Sequence, residues 1–234
     1  MFFFLIYLFN KTSLCFLLSN TFLLKPFFLL PGNEDFQKVY LNVWGITEKS
    51  DVDGCNKYRS AVRALTAKLP ETSTKQTTTD PATLFQHAAV IQSGYQQIVR
   101  DIAAAVDGIQ ASEVSLPPAL KKMGRIIEKT ILKRKKDQGN ANKVCDIVRG
   151  MVTCDNMSQV ASVIDGICSS NAIVVTRVKD RFFKAPSAGG WRDCMINFYV
   201  ASDANQHICE IQLGKSKSDA VSKCSCNYHC VTIL

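Results

Sequence analysis

The sequence has no uncharged apolar run long enough to span a membrane. Residues 1–31 are rich in Phe and Leu, but Lys11 and Lys25 confine the longest uncharged run to the 13 residues from Thr12 to Leu24. A spanning helix needs about 20 apolar residues, whereas the apolar part of a signal peptide has about 7 to 15. Two interpretations of residues 1–31 follow. They form a signal-like or anchoring segment that contacts a membrane, or they result from a translation start placed upstream of the true start of a cytoplasmic protein.

Acidic residues are nearly absent from one part of the chain. Residues 117–136 hold eight Lys and Arg and a single acid, whereas the rest of the chain contributes only +1 to the formal net charge of +8. Such a local basic band favours a site for phosphate, or for an anionic surface, over a general affinity for nucleic acid. We therefore expect no DNA partner.

The ten cysteines do not require a disulfide framework, because a chain of 234 residues with 47% hydrophobic residues can bury a core of its own. We expect a reducing compartment and a cytoplasmic location, or a secretory or membrane-anchored one where residues 1–31 form the native N-terminus. Zinc-ligand types cluster near the C-terminus, but the second paired knuckle of a structural zinc site is missing, so no zinc is expected. These residues are Cys224, Cys226, His229 and Cys230.

Residues 34–115 read as a mainly helical segment. The pattern is weakly helical from Asn56 to Leu69, and residues 70–81, PETSTKQTTTDP, read as a linker without apolar residues. A long helix follows from Leu84 to Ile109, with apolar residues three and four apart. The apolar positions are Leu84, Ala88, Ile91, Tyr95, Ile98, Ile102, Val106 and Ile109.

A basic helix is predicted from Pro117-Pro118 to about Lys136, because proline is tolerated in a first helical turn. Its inner stripe would be Leu120, Met123, Ile127 and Ile131, and its basic row Lys122, Arg125, Lys129, Lys133 and Lys136. A solvated helix face more often mixes charges of both signs. The single-sign row therefore favours a surface that faces an anion.

From Val144 the apolar pattern changes to the period of strands. It predicts strands over 144–153, 172–179, 193–201 and 207–213, with a helix over 158–168 after the first strand. The expected fold class is α/β (α+β), a mixed β-sheet flanked by helices with an N-terminal helical segment. In the last strand, Glu210 and Gln212 share one face.

Two acids in these strands are candidate metal ligands. Glu210 lies between apolar neighbours in a short strand, where a carboxylate needs a cation. Asp146 opens the first predicted strand within an apolar run and is its natural partner. Carboxylates brought together in a sheet can hold Mg²⁺ against the phosphates of a nucleotide.

The segment between the second and third predicted strands, RVKDRFFKAPSAGGWRD, has the residue types of a nucleotide site. Its basic side chains suit phosphates, the Gly189-Gly190 turn allows close approach of a backbone, and Trp191 offers a plane on which a base can stack. A basic surface loop with a packed Trp is the alternative, but the neighbouring acids favour the nucleotide site.

From about Leu120 to Leu213 the chain resembles the synthetase domain of the RelA/SpoT family, the (p)ppGpp synthetases, which have a nucleotidyltransferase-like fold. Four motifs appear in the order of that family. GRIIEKTILKRKK is similar to its Lys/Arg-rich ATP-binding helix, and VCDIVRGMVT to its D-x-x-G-x-R strand. RVKDRFFKAPSAGGW resembles R-x-K-D-Y-x-x-x-P-K-x-N-G-Y, and CEIQL resembles E-x-Q-I. This resemblance implies a synthetase domain over 117–213 and leaves an unmatched tail over 214–234.

The resemblance also implies an activity: ATP would donate its β,γ-diphosphate to the 3′-hydroxyl of GDP or GTP, with release of AMP. Asp146 and Glu210 would hold Mg²⁺, Glu210 would help to activate the acceptor hydroxyl, and Trp191 would stack on the guanine. The other nucleotide-binding residues would be Arg125, Lys129, Arg149, Arg177, Lys179, Gly190 and Gln212.

The departures from the family pattern concern the acceptor. Met151 stands where the family has Arg, with Arg149 on the same strand face, and Met195 stands at roughly the position of the family's His. An adenine nucleotide or the 3′ end of a tRNA therefore remains an alternative acceptor, and a nucleotide-binding module without turnover remains an alternative function. No His is followed by Asp, so the family's hydrolase domain has no counterpart.

Overall fold

The structure is a computed structural model that describes residues 9–10, 13–14, 33–71, 74–131, 140–187 and 190–216. The chain divides into two compact units, Met1–Gly32 and Asn33–Leu234. In the first, strands β1 (Phe9–Asn10) and β2 (Ser13–Leu14) pair antiparallel. The rest of the signal-like segment and the C-terminal Cys/His cluster lie outside the described residues. None of the described helices combines the length and apolarity that a bilayer crossing requires.

Five strands of the second unit form one mixed sheet in the order β3-β4-β7-β6-β5. Strands β4 and β7 pair in parallel, and the other neighbours pair antiparallel. The bounds are β3 (Val114–Ser115), β4 (Arg149–Cys154), β5 (Ile173–Asp180), β6 (Cys194–Val200) and β7 (Cys209–Lys215). The predicted fold class, a mixed sheet flanked by helices, is confirmed, and the last three predicted strands differ from those observed only at their ends.

The helices of this unit are α1 (Asn33–Ser50), α2 (Val52–Ala67), α3 (Pro81–Ala104), α4 (Met123–Ile131) and α5 (Met157–Ser169). Local caps start several of them. The carboxylate of Asp80 accepts a 2.7 Å hydrogen bond from the backbone of Thr83, with Pro81 as the first residue of α3. Such caps satisfy backbone N–H groups that have no partner within the helix.

The first predicted strand begins five residues too early. Residues 144–148 precede β4, so Asp146 lies outside the strand that it was predicted to open. The backbone of Lys121, which lies outside the strands, donates to the carbonyl of Ile147, and the backbone of Glu210 donates to that of Val148 where the β4–β7 ladder begins. The apolar run is explained by burial of these residues, which periodicity alone cannot distinguish from a strand.

The basic helix begins at Met123 and not at Pro117-Pro118. The segment before it is irregular: it follows β3, which pairs with β4, and the side-chain amide of Gln96 on α3 donates to the carbonyl of Pro117. The predicted inner stripe is confirmed for Leu120 and Met123, which pack against the core, and is wrong for Ile127 and Ile131. The buried residues of α4 are Ile126 and Thr130, whereas Ile127 and Ile131 are exposed.

Residues 74–80, taken as part of a linker, are tied into the fold by hydrogen bonds. Gln76 is buried, and its backbone donates to the carbonyl of Asn142. The hydroxyl of Thr74 donates to the carbonyl of Thr176, and that of Thr77 to Asn205. Polar side chains that bind backbone groups in this way replace apolar contacts, which is why composition alone suggested a linker.

Helices α2, α3 and α5 share one hydrophobic core with the sheet. Representative buried residues are Leu65, Leu84, Val152, Ile164 and Ile196. On α3, Tyr95 is fully buried and stacks on Phe198 of β6, with ring centroids 5.6 Å apart. The N-terminal helices are therefore packed against the sheet that carries the predicted site.

Candidate active site

A polar row crosses four strands of the sheet at the level of Glu210. Glu210 of β7 lies opposite Arg149 of β4 on one side and opposite Asn197 of β6 on the other. Asn197 in turn lies opposite Arg177 of β5. Residues directly opposite each other in neighbouring strands project from the same face. The adjacent row on this face contains Met151, Gln212, Met195 and Lys179.

Two lysines converge on Asp146. Its Oδ2 accepts hydrogen bonds from Lys121 Nζ at 2.6 Å and from Lys129 Nζ at 2.5 Å. Burial would raise the pKa of Asp146, but the two ammonium groups outweigh burial and hold it below its usual value. Its other oxygen, Oδ1, is buried and has no hydrogen-bond partner among the described residues. Asp146 is thus ionised, with one oxygen still available to a cation.

Glu210 is buried beside this group. Its Oε1 accepts a 3.0 Å hydrogen bond from the side-chain amide of Gln212. Burial first, and then the negative charge of Asp146, raise the pKa of Glu210 against the opposing charges of Lys129 and Arg177. Asp146 and Glu210 therefore lie close enough to interact electrostatically, with Lys129 near both acids and Arg177 near Glu210.

The basic residues of β5 lie on the polar face. Arg177 donates from Nε to Oδ1 of Asn197 at 2.9 Å, which holds its side chain over the sheet. Burial, together with the positive charges of Arg177 and Arg181, lowers the pKa of Lys179. Cations held this close to one another gain from an added anion, and phosphate is the common anion that suits them.

The start of the loop after β5 is fixed by Asp180 and an aromatic cluster. Oδ1 of Asp180 accepts hydrogen bonds from the Tyr58 hydroxyl at 2.9 Å and from the backbone of Phe183 at 3.1 Å. Phe182 stacks on Trp44 of α1 with ring centroids 5.3 Å apart. The R-x-K-D pattern thus has a structural component, because Asp180 turns the chain while Arg177 and Lys179 face the site.

Two contacts hold the side chain of Trp191. Its indole Nε1 donates to Oδ2 of Asp193 at 3.1 Å, and its ring meets Tyr40 of α1 edge-on at 5.9 Å between centroids. Arg181 pairs with the buried carboxylate of Asp193. Trp191 nevertheless remains 37% exposed, so part of its ring is open to a ligand.

Gly190 packs against α1. Its φ is +84°, a conformation that favours glycine, and a Cβ there would lie 3.1 Å from the Cα of Gln37 and 3.2 Å from the Cβ of Tyr40. These contacts explain the glycine by close packing of the loop on a helix. Ala188 and Gly189, the adjacent residues of the predicted turn, lie outside the described part of the chain.

The predicted basic row of α4 is divided by the structure. Lys129 reaches Asp146, whereas Arg125 is exposed and pairs with Glu128 on the same helix at 2.5 Å. Lys133 and Lys136 lie outside the described residues. Arg125 therefore makes its ion pair on the exposed surface of the helix and not with the two acids.

Sequence reasoning missed three residues of this site. Lys121 precedes α4 and belongs to the basic band, which was the available signal. Asn197 is a buried amide in the apolar strand β6, and a polar residue in the centre of a sheet was also a usable signal. Gln76 lies in the Thr-rich segment, where no local pattern marks it as buried.

No protein-family model matches this sequence, and a search of curated proteins finds no match. Solved structures with a similar fold include small alarmone synthetase 1 from Bacillus subtilis bound to its product pppGpp, at 16% identity over 61% of this chain and 76% of that chain, with a TM-score of 0.47. A GTP pyrophosphokinase family protein from Streptococcus pneumoniae is similar at 17% identity over 62% and 74%, with a TM-score of 0.41. At identities and scores this low, the likeness says nothing about the activity of this chain.

Proposed function

We propose that this chain transfers the β,γ-diphosphate of ATP to the 3′-hydroxyl of a guanine nucleotide. The observation that carries the proposal is the pair of interacting acids, half-buried Asp146 and buried Glu210, with Lys121 and Lys129 bound to Asp146 and Arg177 near Glu210. Acidic and basic side chains in this arrangement suit a triphosphate with its metal ion, since phosphoryl transfer relies on positioning and charge neutralisation. The sequence motifs that resemble those of the (p)ppGpp synthetases support the same chemistry.

The acids fit a magnesium ion. Oδ1 of Asp146 is buried without a hydrogen-bond partner among the described residues, and Glu210 has an electrostatic interaction with Asp146. No group of three or more His, Cys, Asp and Glu is arranged for a metal within the described part of the chain. Mg²⁺ does not need one, because it is commonly held by one or two carboxylates and by substrate phosphates. When bound, it would neutralise charge on the transferred phosphates.

The cations would hold the phosphates. Lys121 and Lys129 lie at Asp146, and Arg177 and Lys179 project from β5 on the same face as Glu210. The acceptor oxygen would form a bond to the β-phosphorus of ATP while the bond from that phosphorus to the α,β-bridging oxygen breaks. AMP leaves with that oxygen, and the proton of the acceptor hydroxyl passes to Glu210.

Trp191 would provide the plane for the guanine base. Its indole N–H is already bound to Asp193, so the base would be recognised by stacking on the open part of the ring and not through that donor. Stacking of a base on an aromatic side chain contributes about 1 to 3 kcal/mol. It discriminates poorly between bases, so the choice of acceptor is the part of the proposal that most needs direct assay.

A nucleotide-binding module without turnover is the second candidate. Met151 and Met195 flank Gln212 in the row beside Glu210, where the resemblance places Arg and His. Two methionines contribute no charge to an acceptor phosphate. This observation favours binding without transfer, or a different acceptor.

The test is incubation of the full chain with Mg²⁺, γ-labelled ATP and GDP, GTP or tRNA, followed by separation of the labelled products. We expect label on GDP or GTP, and a loss of at least about 100-fold in Glu210→Gln and Asp146→Asn, since each removes charge from the reacting centre. Asp165→Asn on α5 is the matched control. Label on tRNA would change the acceptor, and nucleotide binding without any product would support the second candidate.

A further inference from the structure

Two buried side-chain amides bridge the segments that carry the two acids. Gln76 donates from Nε2 to the carbonyls of Val144 and Ile208, each at 3.0 Å, and its Oε1 accepts from the backbone of Ile208 at 2.9 Å. Val144 lies two residues before Asp146, and Ile208 lies two residues before Glu210. One side chain thus joins both segments at equivalent positions.

Asn197 makes the same connection one residue further along. Its Nδ2 donates to the carbonyl of Cys145 at 3.3 Å and to that of Cys209 at 3.1 Å. Cys145 immediately precedes Asp146, and Cys209 immediately precedes Glu210. The Oδ1 of Asn197 accepts from Arg177, so the same amide also holds a cation of the site.

The ladder between the two acid-bearing segments begins only at Glu210, whose backbone donates to the carbonyl of Val148. β4 begins only at Arg149 and β7 at Cys209, so the carbonyls of Val144, Cys145 and Ile208 precede the paired region. Gln76 and Asn197 are 5% and 0% exposed, and water cannot replace their hydrogen bonds without opening the core. Ahead of that ladder, these two amides hold the segments together.

We propose that Gln76 and Asn197 are positioning residues that fix the spacing of Asp146 and Glu210 for a divalent cation and its nucleotide. The inference rests on the proposed function for the identity of the ligand. It predicts that removal of either bridge weakens metal binding by about 10-fold or more, which is typical for residues that orient metal ligands. Fold stability will also fall, so a control for that loss is needed.

The experiment measures Mn²⁺ binding to the full chain in the presence of α,β-methylene-ATP, by the enhancement of water proton relaxation. This signal separates Mn²⁺ on the protein complex from Mn²⁺ on free nucleotide and does not depend on turnover. The variants are Gln76→Met and Asn197→Leu. Asn197→Asp keeps the oxygen that accepts from Arg177 and loses both N–H donors. Gln76→Glu keeps the oxygen that accepts from the backbone of Ile208, and it replaces Gln76→Met if that variant fails to fold.

Two controls separate positioning from general destabilisation. Val163→Ala removes core volume from the buried face of α5, and Gln96→Met removes a side-chain amide bond to the carbonyl of Pro117. We expect both to lower the urea midpoint while Mn²⁺ affinity stays within about twofold of the original chain. Asn197→Asp should weaken Mn²⁺ binding as Asn197→Leu does, and Gln76→Glu should fall between Gln76→Met and the original chain.

Two results would overturn the inference. One is an unchanged Mn²⁺ affinity both in Asn197→Asp and in a Gln76 variant, either Gln76→Met or Gln76→Glu. The other is a loss of Mn²⁺ affinity in Val163→Ala as large as the loss in the Gln76 and Asn197 variants. Failure of the proposed function looks different. A chain that binds Mn²⁺ and nucleotide but forms no labelled product contradicts the transferase proposal and leaves the bridging role supported by the binding series. A chain that binds no Mn²⁺ under any of these conditions contradicts both.

Discussion

The hydroxyl of Tyr95 on α3 donates a 2.7 Å hydrogen bond to the backbone carbonyl of Glu210 on β7. Tyr95 is fully buried, so a helix of the N-terminal segment is anchored to the residue that the proposed chemistry depends on. This bond links the stability of the α3–sheet contact to the position of the predicted acid.

Tyr95→Phe tests that link. The substitution keeps the ring stacked on Phe198 but removes the buried hydrogen bond to the carbonyl of Glu210, so we expect a loss of about 1 to 2 kcal/mol in the free energy of unfolding. Urea denaturation measures it. Tyr199→Phe, on the half-buried side of β6, is the matched control and should change stability by less than about 0.5 kcal/mol. Equal effects of the two variants would contradict an anchoring role for Tyr95.

Gly150→Ala and Gly45→Ala should have opposite effects. A Cβ at Gly150 would lie 2.5 Å from Cδ2 of Leu116 and 2.8 Å from the Tyr95 hydroxyl, whereas no atom lies within 4 Å of a Cβ at Gly45 in α1. We expect Gly150→Ala to cost about 1 to 3 kcal/mol. Gly45→Ala should stabilise by about 0.5 to 1 kcal/mol, because Ala restricts the unfolded chain. Thermal and urea unfolding measure both. Stabilisation by Gly150→Ala would contradict the close contacts of Gly150 with Leu116 and Tyr95.

Acid should destabilise the fold through His207. Burial lowers the pKa of His207 to about 4, with a further contribution from His87 and opposition from Asp203. The unfolded chain therefore binds this proton more readily, and stability that is present above about pH 6.5 is lost as the pH falls toward 4. The full loss would be about 3 kcal/mol.

His207→Gln is the variant that checks this pH dependence. Its free energy of unfolding should fall less steeply between pH 6.5 and 4 than that of the original chain, in urea titrations at several pH values. The carboxylates add their own acid dependence at lower pH, since Asp146 has a lowered pKa. Identical slopes for variant and original chain above pH 4.5 would show that His207 is not the titrating group.

Lys129 and Arg125 should differ in nucleotide binding although both lie on the basic helix. Lys129 contacts Asp146, whereas Arg125 pairs with an exposed Glu128. On the proposed function, Lys129→Met should weaken the binding of ATP with Mg²⁺ by about 10-fold, because a charged hydrogen bond to phosphate is lost. Arg125→Met should stay within about twofold. Calorimetric titration measures both affinities. A larger effect of Arg125→Met than of Lys129→Met would show that Arg125 contacts the nucleotide.

Strand periodicity was sufficient for most of the sheet. The alternation of apolar residues located β5, β6 and β7, and it assigned Glu210 and Gln212 to one face, where their side chains are hydrogen-bonded. It failed at 144–148, because burial without a ladder leaves the same apolar run as a strand does. Pro117-Pro118 misplaced the start of α4 because proline is compatible with both a first helical turn and an extended segment.

The sequence by itself determined the elements and the residue types of the site, since helix and strand periods and local caps depend only on near neighbours along the chain. Tertiary structure decided which of those residues meet. The register of β4, β7, β6 and β5 aligned Arg149, Glu210, Asn197 and Arg177 in one row. Gln76 is hydrogen-bonded to Ile208, 132 residues away, and no local pattern encodes a contact at that separation. The spacing of Asp146 and Glu210 therefore depends on long-range hydrogen bonds that form only when the chain is folded.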